Sequence, residues 1–122
     1  MAKNYVYEGK QVPWTNDTGS DVSSGDRITV GDQNAVALED IADGESGAIA
    51  LEGVFTLDKV SGSAWEPGDK LAWDDSEGAF DLESNVTLDT DDVSGDVIAG
   101  GEADSDDTEG PVKLGVGVGT VS

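Results

Sequence analysis

The chain has 122 residues, a length that allows one domain with a single modest core and not two. It carries 27 acidic and 6 basic residues, for a net charge of -21. This charge excludes binding to a nucleic-acid backbone, which needs lysine and arginine, and the absence of cysteine excludes disulfides and thiolate metal sites.

Residues 1–16 are predicted to form an extended N-terminal arm or an edge strand, and residues 17–122 a single β-rich domain. The arm holds two of the six bases, and Pro13 biases the residue before it towards an extended conformation. A nearly neutral, aromatic arm on an acidic body is suited to binding, because it can add a strand to the edge of a neighbour's sheet. The candidate contact residues are Tyr5, Val6, Tyr7, Val12 and Trp14.

The chain shows no targeting or membrane signal. Its first residues lack the apolar run of a signal peptide, and nowhere do 18 apolar residues follow one another. We therefore expect a soluble cytoplasmic product, with no membrane partner.

Strand signals recur beyond the arm, with Gly, Asp and Ser between them, and no segment keeps a helical period over three turns. This pattern predicts an all-β fold, a small single-domain β-sandwich or barrel of roughly eight to ten short strands. The strongest signal covers residues 48–57, which alternate as one strand, with Gly53 as a possible bulge. The other predicted strands are 27–30, 35–38, 70–73, 79–82, 86–88, 97–99 and 112–118, and a short helical turn is expected near residues 61–65.

Two similar segments lie 43 positions apart, each a Gly-Asp pair followed by a base and an apolar residue: Gly25-Asp26-Arg27-Ile28 and Gly68-Asp69-Lys70-Leu71. Past each copy lie a short strand, an acidic loop that contains glycine, and a longer strand. The order indicates two related β-units folded together, with chance as the alternative because Gly-Asp pairs are common.

Asp74 and Asp75, in the stretch WEPGDKLAWDDSEGAF, are adjacent, so a pair of metal ligands or a catalytic pair is one interpretation. Neighbours on a strand point to opposite faces, so both cannot line one pocket unless the strand has ended. We predict that they belong to a turn that closes a hairpin back to Phe80, with Leu71 and Trp73 pointing into the core. The sequence offers no catalytic constellation, and we expect no enzyme.

Residues 71–112 contain 14 acids and no base. The segment 89–96 resembles a calcium loop, since hard cations take several oxygens on a short turn, but its spacing fits no EF-hand. The loop 102–110 is predicted to be solvated, and whether either loop holds specific cations stays open. We expect no metal site and no cofactor; the glycines of residues 115–119 lack the helix and lysine of a phosphate loop and are predicted to form the small face of a terminal strand.

Acidity of this size is typical of disorder, but 36% of the residues are hydrophobic and the aromatic ones lie in strand-like segments, so we expect a folded chain. Self-repulsion at a charge of -21 destabilises the fold in dilute buffer. At 1 M salt the Debye length falls to ~3 Å and the carboxylates hardly interact. We therefore expect a halophilic host.

The order of four phrases, MAKNYVYEGK, VSSGDRITVGD, AVALEDIADGESGAIALEGVFTLDK and PGDKLAWDD, resembles the capsid cement, or decoration, protein family of tailed viruses. The resemblance covers residues 1–82 well. The closing part, DVIAGGEADSDDTEGPVKLGVGVG, is similar in order to the family's last two strands but more acidic, so the chain departs from the family within residues 83–110.

The resemblance implies a non-enzymatic virion protein on the outer surface of an icosahedral shell of the HK97-like kind. It implies the major capsid protein as partner, self-association as a homotrimer, and an N-terminal arm laid on the shell. The alternative is a calcium-dependent extracellular β-module of a halophile surface layer. A calcium titration at constant high salt separates the two, because only the second should gain stability.

Overall fold

The computed structural model describes residues 11–117 and 119–121, and these residues form two antiparallel sheets joined by short turns. The strands are β1 (Gln11–Thr15), β2 (Arg27–Val30), β3 (Gln33–Ala37), β4 (Ser46–Ala50), β5 (Gly53–Asp58), β6 (Lys70–Asp74), β7 (Ala79–Leu82), β8 (Val93–Ala99), β9 (Glu109–Leu114) and β10 (Thr120–Val121). One 3-10 turn spans Glu83–Asn85. The predicted all-β class is confirmed, and in the described part of the chain no helix is long and apolar enough to cross a membrane.

The first sheet has the strand order β1-β4-β3-β2, and the second has β5-β9-β8-β6-β7, with β10 paired to the start of β8. Four strands of the second sheet, β5-β9-β8-β6, follow the same connectivity as β1-β4-β3-β2. β7 and the 3-10 turn lie between β6 and β8 along the chain, so they are an insertion in the second unit. The two similar Gly-Asp segments of the sequence therefore belong to two four-stranded units with the same connectivity.

The two Gly-Asp turns have matching hydrogen bonds. Gly25 and Gly68 share a φ of 91°, which favours glycine, and their N–H groups donate to Ala37 O at 2.8 Å and Ala99 O at 3.0 Å. In each turn the aspartate that follows the glycine accepts the N–H of the residue three positions earlier, at 2.9 Å. Equivalent bridges precede the turns, Val22–Ile41 in one unit and Trp65–Ala103 in the other. The two units thus agree in local geometry as well as in topology.

Each sheet has its own hydrophobic cluster. Ile28, Ile41 and Ile49 lie in the cluster of the first sheet, on which the half-buried Val12 and Trp14 pack. The larger cluster of the second sheet is built from Val36 of the first sheet and from Leu57, Trp65, Leu71, Phe80, Val97, Ala99, Ala103, Val112 and Leu114. Because Val36 belongs to β3, this second cluster also joins the two sheets.

Three predicted strands are split, shortened or absent, and two others, 35–38 and 97–99, overlap β3 and β8, which begin earlier in the chain. Residues 48–57 form two strands in different sheets, because the chain bends at Leu51 and Glu52 and Gly53 has a φ of 122°. The strand predicted for 112–118 ends at Leu114, where Gly115 has a φ of 81°. Residues 86–88 form no strand, and the helical turn predicted near 61–65 is absent there.

Candidate functional site

β1 lies at the edge of the first sheet and carries the described part of the predicted arm. Gln11–Thr15 form an edge strand paired with β4, whereas Tyr5, Val6 and Tyr7 lie outside the described residues. Val12 and Trp14 are half-buried and pack on the core of the first sheet. Their side chains therefore hold β1 in place, and the residues of β1 that face solvent are Gln11, Pro13 and Thr15.

The backbone of β1 has a free edge among the described strands. The carbonyl of Ala48 on β4 accepts a hydrogen bond from Leu38 N–H at 3.0 Å, so Ala48 faces away from β1. Backbone groups of successive residues point to alternate edges, so Val12 and Trp14 bond to β4 and the residues between them point outward. Pro13 occupies an outward position, where its missing N–H removes no ladder bond. This edge can accept another extended segment, apart from that one position.

A buried polar network connects the two sheets. The backbone N–H of Asn34 donates to Asp96 Oδ2 at 2.6 Å, and its side chain donates to Asp96 Oδ1 at 2.8 Å. Arg27 Nε donates to Asn34 Oδ1 at 2.7 Å, and the Arg27 guanidinium lies 4.1 Å from the centre of the Trp73 ring. These contacts link β2 and β3 of the first sheet to β6 and β8 of the second.

Burial shifts the pKa of both charged groups in this network. It lowers the pKa of Arg27 to about 9, although the negative charges of Asp75 and Asp96 act in the other direction and raise this pKa. It raises the pKa of the Asp96 carboxyl above its ordinary value of 3.8, although the hydrogen bonds from Asn34 act in the other direction. Arg27 therefore stays charged at neutral pH inside a poorly solvated site.

A cleft of about 440 Å³ opens beside Arg27 and Trp73. One nitrogen of the guanidinium, Nη2, is buried without a hydrogen-bond partner. Several of the residues that line the cleft are acidic, namely Asp21, Asp26, Asp58 and Glu109. Their charge disfavours an anionic ligand, and the cleft holds no nucleophile with a base beside it. We therefore assign the network a structural role.

The pair Asp74 and Asp75 closes the β6–β7 hairpin, as predicted. The Asp74 carbonyl accepts the N–H of Gly78 at 2.9 Å, which completes the turn. The Asp74 carboxylate accepts the hydroxyl of Ser76 at 2.7 Å, and that of Asp75 accepts Trp73 Nε1–H at 3.1 Å. The two carboxylates have separate partners, so they form no catalytic pair.

The calcium-like segment 89–96 uses its acids inside the fold. Asp92 is buried, and its two carboxylate oxygens accept the N–H groups of Asp75 and Asp89, both at 2.8 Å. The Asp96 carboxylate accepts the two hydrogen bonds from Asn34 described above. Two of the acids that suggested ion ligands are thus satisfied by backbone or side-chain donors, and the geometry does not favour a calcium loop.

In the other acidic loop, the carboxylates of Asp104, Asp106 and Asp107 lie within 4.8 Å of one another and are exposed. Asp107 also accepts the N–H of Asp104 at 2.9 Å, in the same way as the aspartates of the Gly-Asp turns. An exposed acidic cluster of this kind occurs without an ion in many proteins, so it defines no metal site.

Sequence patterns did not reveal the network of Arg27, Asn34 and Asp96. Its members are separated by as many as 69 positions, and two of them lie in strands that the prediction placed or bounded differently. The one available signal was Arg27, a base that follows a Gly-Asp turn in an otherwise acidic chain.

The phage cement protein family matches residues 6–114 of the chain, a range that includes β1 to β9. No curated protein and no solved structure matches the chain.

Proposed function

Since the chain belongs to the phage cement protein family, we propose that it binds the outer surface of an assembled icosahedral capsid of the HK97-like kind and holds neighbouring capsomers together. Proteins of this family are structural virion components, and the family match over residues 6–114 is the observation that carries the proposal. The partner is the major capsid protein. No catalytic group takes part in this role, which rests on adhesion.

The N-terminal segment is the proposed attachment element. Tyr5, Val6 and Tyr7 would contact the capsid through their side chains, because aromatic residues bury large areas at interfaces. The free edge of β1 supports this proposal, since a capsid segment can pair with it through backbone hydrogen bonds. Val12 and Trp14 would act by anchoring β1 on the first sheet, which keeps that edge extended.

Self-association as a homotrimer is a further part of the proposal. Three copies linked together would engage the capsid at three points, and the effective concentration of each remaining contact rises once the first has formed. Several weak contacts would then oppose separation of the capsomers under internal pressure. Light scattering tests this part, with an expected mass of three times the 12.5 kDa chain.

The charge of -21 supports a halophilic setting for the virion. In strong brine the exposed carboxylates are screened, so acidic copies can lie close together on a shell. We propose that the protein is synthesised in the host cytoplasm and is then added to the outside of the capsid.

Capsid binding in high salt tests the proposed function. Capsids assembled from the virus's own major capsid protein, without this chain, are mixed with the purified protein and separated on a density gradient. We expect saturable co-sedimentation of the wild type and much weaker binding of a variant that lacks residues 2–10, a deletion that spares β1. Absence of wild-type binding would refute the function, and full binding by the deletion variant would refute the role of the arm.

A further inference from the structure

Four residues form one row across the outer face of the second sheet. Val54 on β5 pairs with Lys113 on β9, Lys113 pairs with Ile98 on β8, and Ile98 pairs with Lys70 on β6. Directly paired residues of an antiparallel sheet project from the same face. We call Val54, Lys113, Ile98 and Lys70 the lysine row.

The lysine row faces away from the core. The neighbours of Lys113 along β9, Val112 and Leu114, are buried in the cluster of the second sheet. Because side chains alternate along a strand, Lys113 points to the other face. Lys70 and Lys113 are exposed, Ile98 is half-buried, and Val54 has 55% of its surface exposed. The row therefore combines two charges with apolar side chains that solvent can reach.

The position of the lysines is notable in a chain with 6 bases and 27 acids. Among the residues that the structure describes, four are basic. Lys59 is 3% exposed, and Arg27 is held in the polar network between the sheets. Both exposed bases of the described residues, Lys70 and Lys113, thus lie in one row with a single isoleucine between them.

The dimensions of the row suit a short extended segment. Adjacent strands lie about 4.8 Å apart, so the lysines are separated by roughly 10 Å and the whole row spans about 14 Å. A groove of about 360 Å³ runs beside it, with Ile98 and the exposed Val116 in its wall. Glu83 lines the same groove as Lys70, and its negative charge limits the region that favours an anionic partner.

We propose that the lysine row is a second capsid-binding surface, which takes an acidic segment of the capsid protein. This inference rests on the proposed function. Charge complementarity selects the partner: elsewhere the exposed charges of the described residues are acidic and repel carboxylates, whereas here two lysines can pair with them. Val54 and Ile98 add apolar contact, which persists in strong salt. The row lies in the second sheet while β1 lies in the first, so the two surfaces would let one copy contact the capsid at two places.

The test compares two variants with equal net charge in the gradient assay described above. Lys70→Gln with Lys113→Gln removes both charges of the row. The control, Thr29→Glu with Ser61→Glu, adds two acids at exposed positions of β2 and of the turn after β5. We expect the row variant to bind capsids about threefold more weakly, because exposed ion pairs are screened in high salt and stay in the lower part of their usual range, and we expect the control to bind like the wild type.

A third variant, Val54→Ser, tests the apolar part at an exposed position and should weaken binding in molar salt. If the wild type binds and all three variants match it, the lysine row is refuted while the proposed function stands. If the row variant keeps its affinity but loses mass in light scattering, the row binds a second copy and the inference is wrong. If the wild type does not bind, the proposed function and the inference fail together.

Discussion

Asn34 and Asp96 form a two-point hydrogen bond between the sheets, with donor–acceptor distances of 2.6 and 2.8 Å. Both residues are buried, with exposed fractions of 0% and 1%. Asp96 thus supplies acceptors to two donors that have no access to water. This contact fixes how β3 of the first sheet meets β8 of the second.

Asp96→Ala should destabilise the protein markedly. The substitution leaves the N–H and the side-chain amide of Asn34 buried without acceptors, and each unsatisfied group costs about 1–3 kcal/mol. We expect a loss of about 2–4 kcal/mol in the free energy of unfolding, which is less than the summed cost of both groups because the site relaxes. Guanidinium titration in molar salt measures this loss. Asp106→Ala removes the same charge at an exposed position and should change stability by less than about 0.5 kcal/mol. Equal effects of the two variants would contradict the structural role of Asp96.

The pKa of Asp96 also predicts a pH dependence with a definite sign. Burial raises this pKa in the folded state above its ordinary value of 3.8, so the folded chain holds the proton more tightly than the unfolded chain. The stability that this group contributes is therefore fully present below pH 3.8 and is lost as the pH rises through the folded pKa. Asp96→Asn cannot titrate, so the stability of the wild type minus that of the variant should fall with rising pH in this window. A difference that rises with pH would contradict the prediction.

The polar network between the sheets could not be predicted from the sequence. Acids of the segment 89–96 resemble ligands of a calcium loop when read along the chain, yet Asp92 and Asp96 are buried. Asp92 accepts the N–H groups of Asp75 and Asp89 from two turns, and Asp96 accepts donors of Asn34 from the other sheet. The alternation of residues 48–57 continues through the bend at Leu51 and Glu52, so periodicity alone could not show that the two halves belong to different sheets. The lysine row could not be predicted from the sequence either, because only strand pairing brings Lys70 and Lys113 together.

Local turn chemistry, by contrast, was predictable. The two Gly-Asp pairs lie in turns of the same geometry, and the hairpin at Asp74 and Asp75 closes at the predicted position. Both features depend on residues within a few positions of each other, whose conformational preferences act without tertiary context. Of the arm, the described residues Gln11–Thr15 were predictable only as an extended segment, because the side-chain contacts of Val12 and Trp14 depend on the sheet.

Gly25→Ala and Gly68→Ala should destabilise the protein by similar amounts. Both glycines have a φ of 91°, and a Cβ at either position meets no atom within 4 Å, so the cost is that of the backbone conformation alone. We expect about 1 kcal/mol for each, measured by denaturant titration. Gly25→Asn and Gly68→Asn should cost less, because asparagine tolerates positive φ better than alanine. A large difference between the two sites would argue against equivalent units.

Lys59→Met should destabilise the second sheet although it keeps the apolar stem. Lys59 Nζ donates to the carbonyls of Val60 at 2.9 Å and Asp107 at 3.3 Å, and it lies 5.6 Å from the centre of the Trp65 ring. Loss of these charged hydrogen bonds should cost about 1.5–3 kcal/mol in a denaturant titration. Lys70→Met, at an exposed site, is the matched control and should be nearly neutral. If both variants unfold at the same denaturant concentration as the wild type, Lys59 contributes nothing through its ammonium group.

Salt should stabilise the protein through screening of its surface carboxylates. Raising NaCl from 0.1 to 1 M shortens the Debye length from ~10 to ~3 Å, so repulsion between exposed acids falls steeply. If this relieves about 2 kcal/mol, the melting temperature should rise by about 8 °C, at about 4 °C per kcal/mol for a chain of this size. A variant with Glu77→Gln, Asp104→Asn and Asp106→Asn carries less charge and should respond less to salt. An equal response would show that salt acts through apolar burial instead.

Calcium at constant high salt separates general screening from a specific ion site. The carboxylates of Asp92 and Asp96 are held by donors of the protein itself, and Asp104, Asp106 and Asp107 are exposed. Millimolar calcium added to molar NaCl changes the ionic strength very little, so screening alone predicts an unchanged melting temperature. A specific site would instead raise that temperature in a saturable way, because an ion that binds only the folded state stabilises it by mass action. Magnesium at the same concentration is the control for divalent charge. A saturable rise with calcium and none with magnesium would favour the calcium-dependent module over a cement protein stabilised by salt alone.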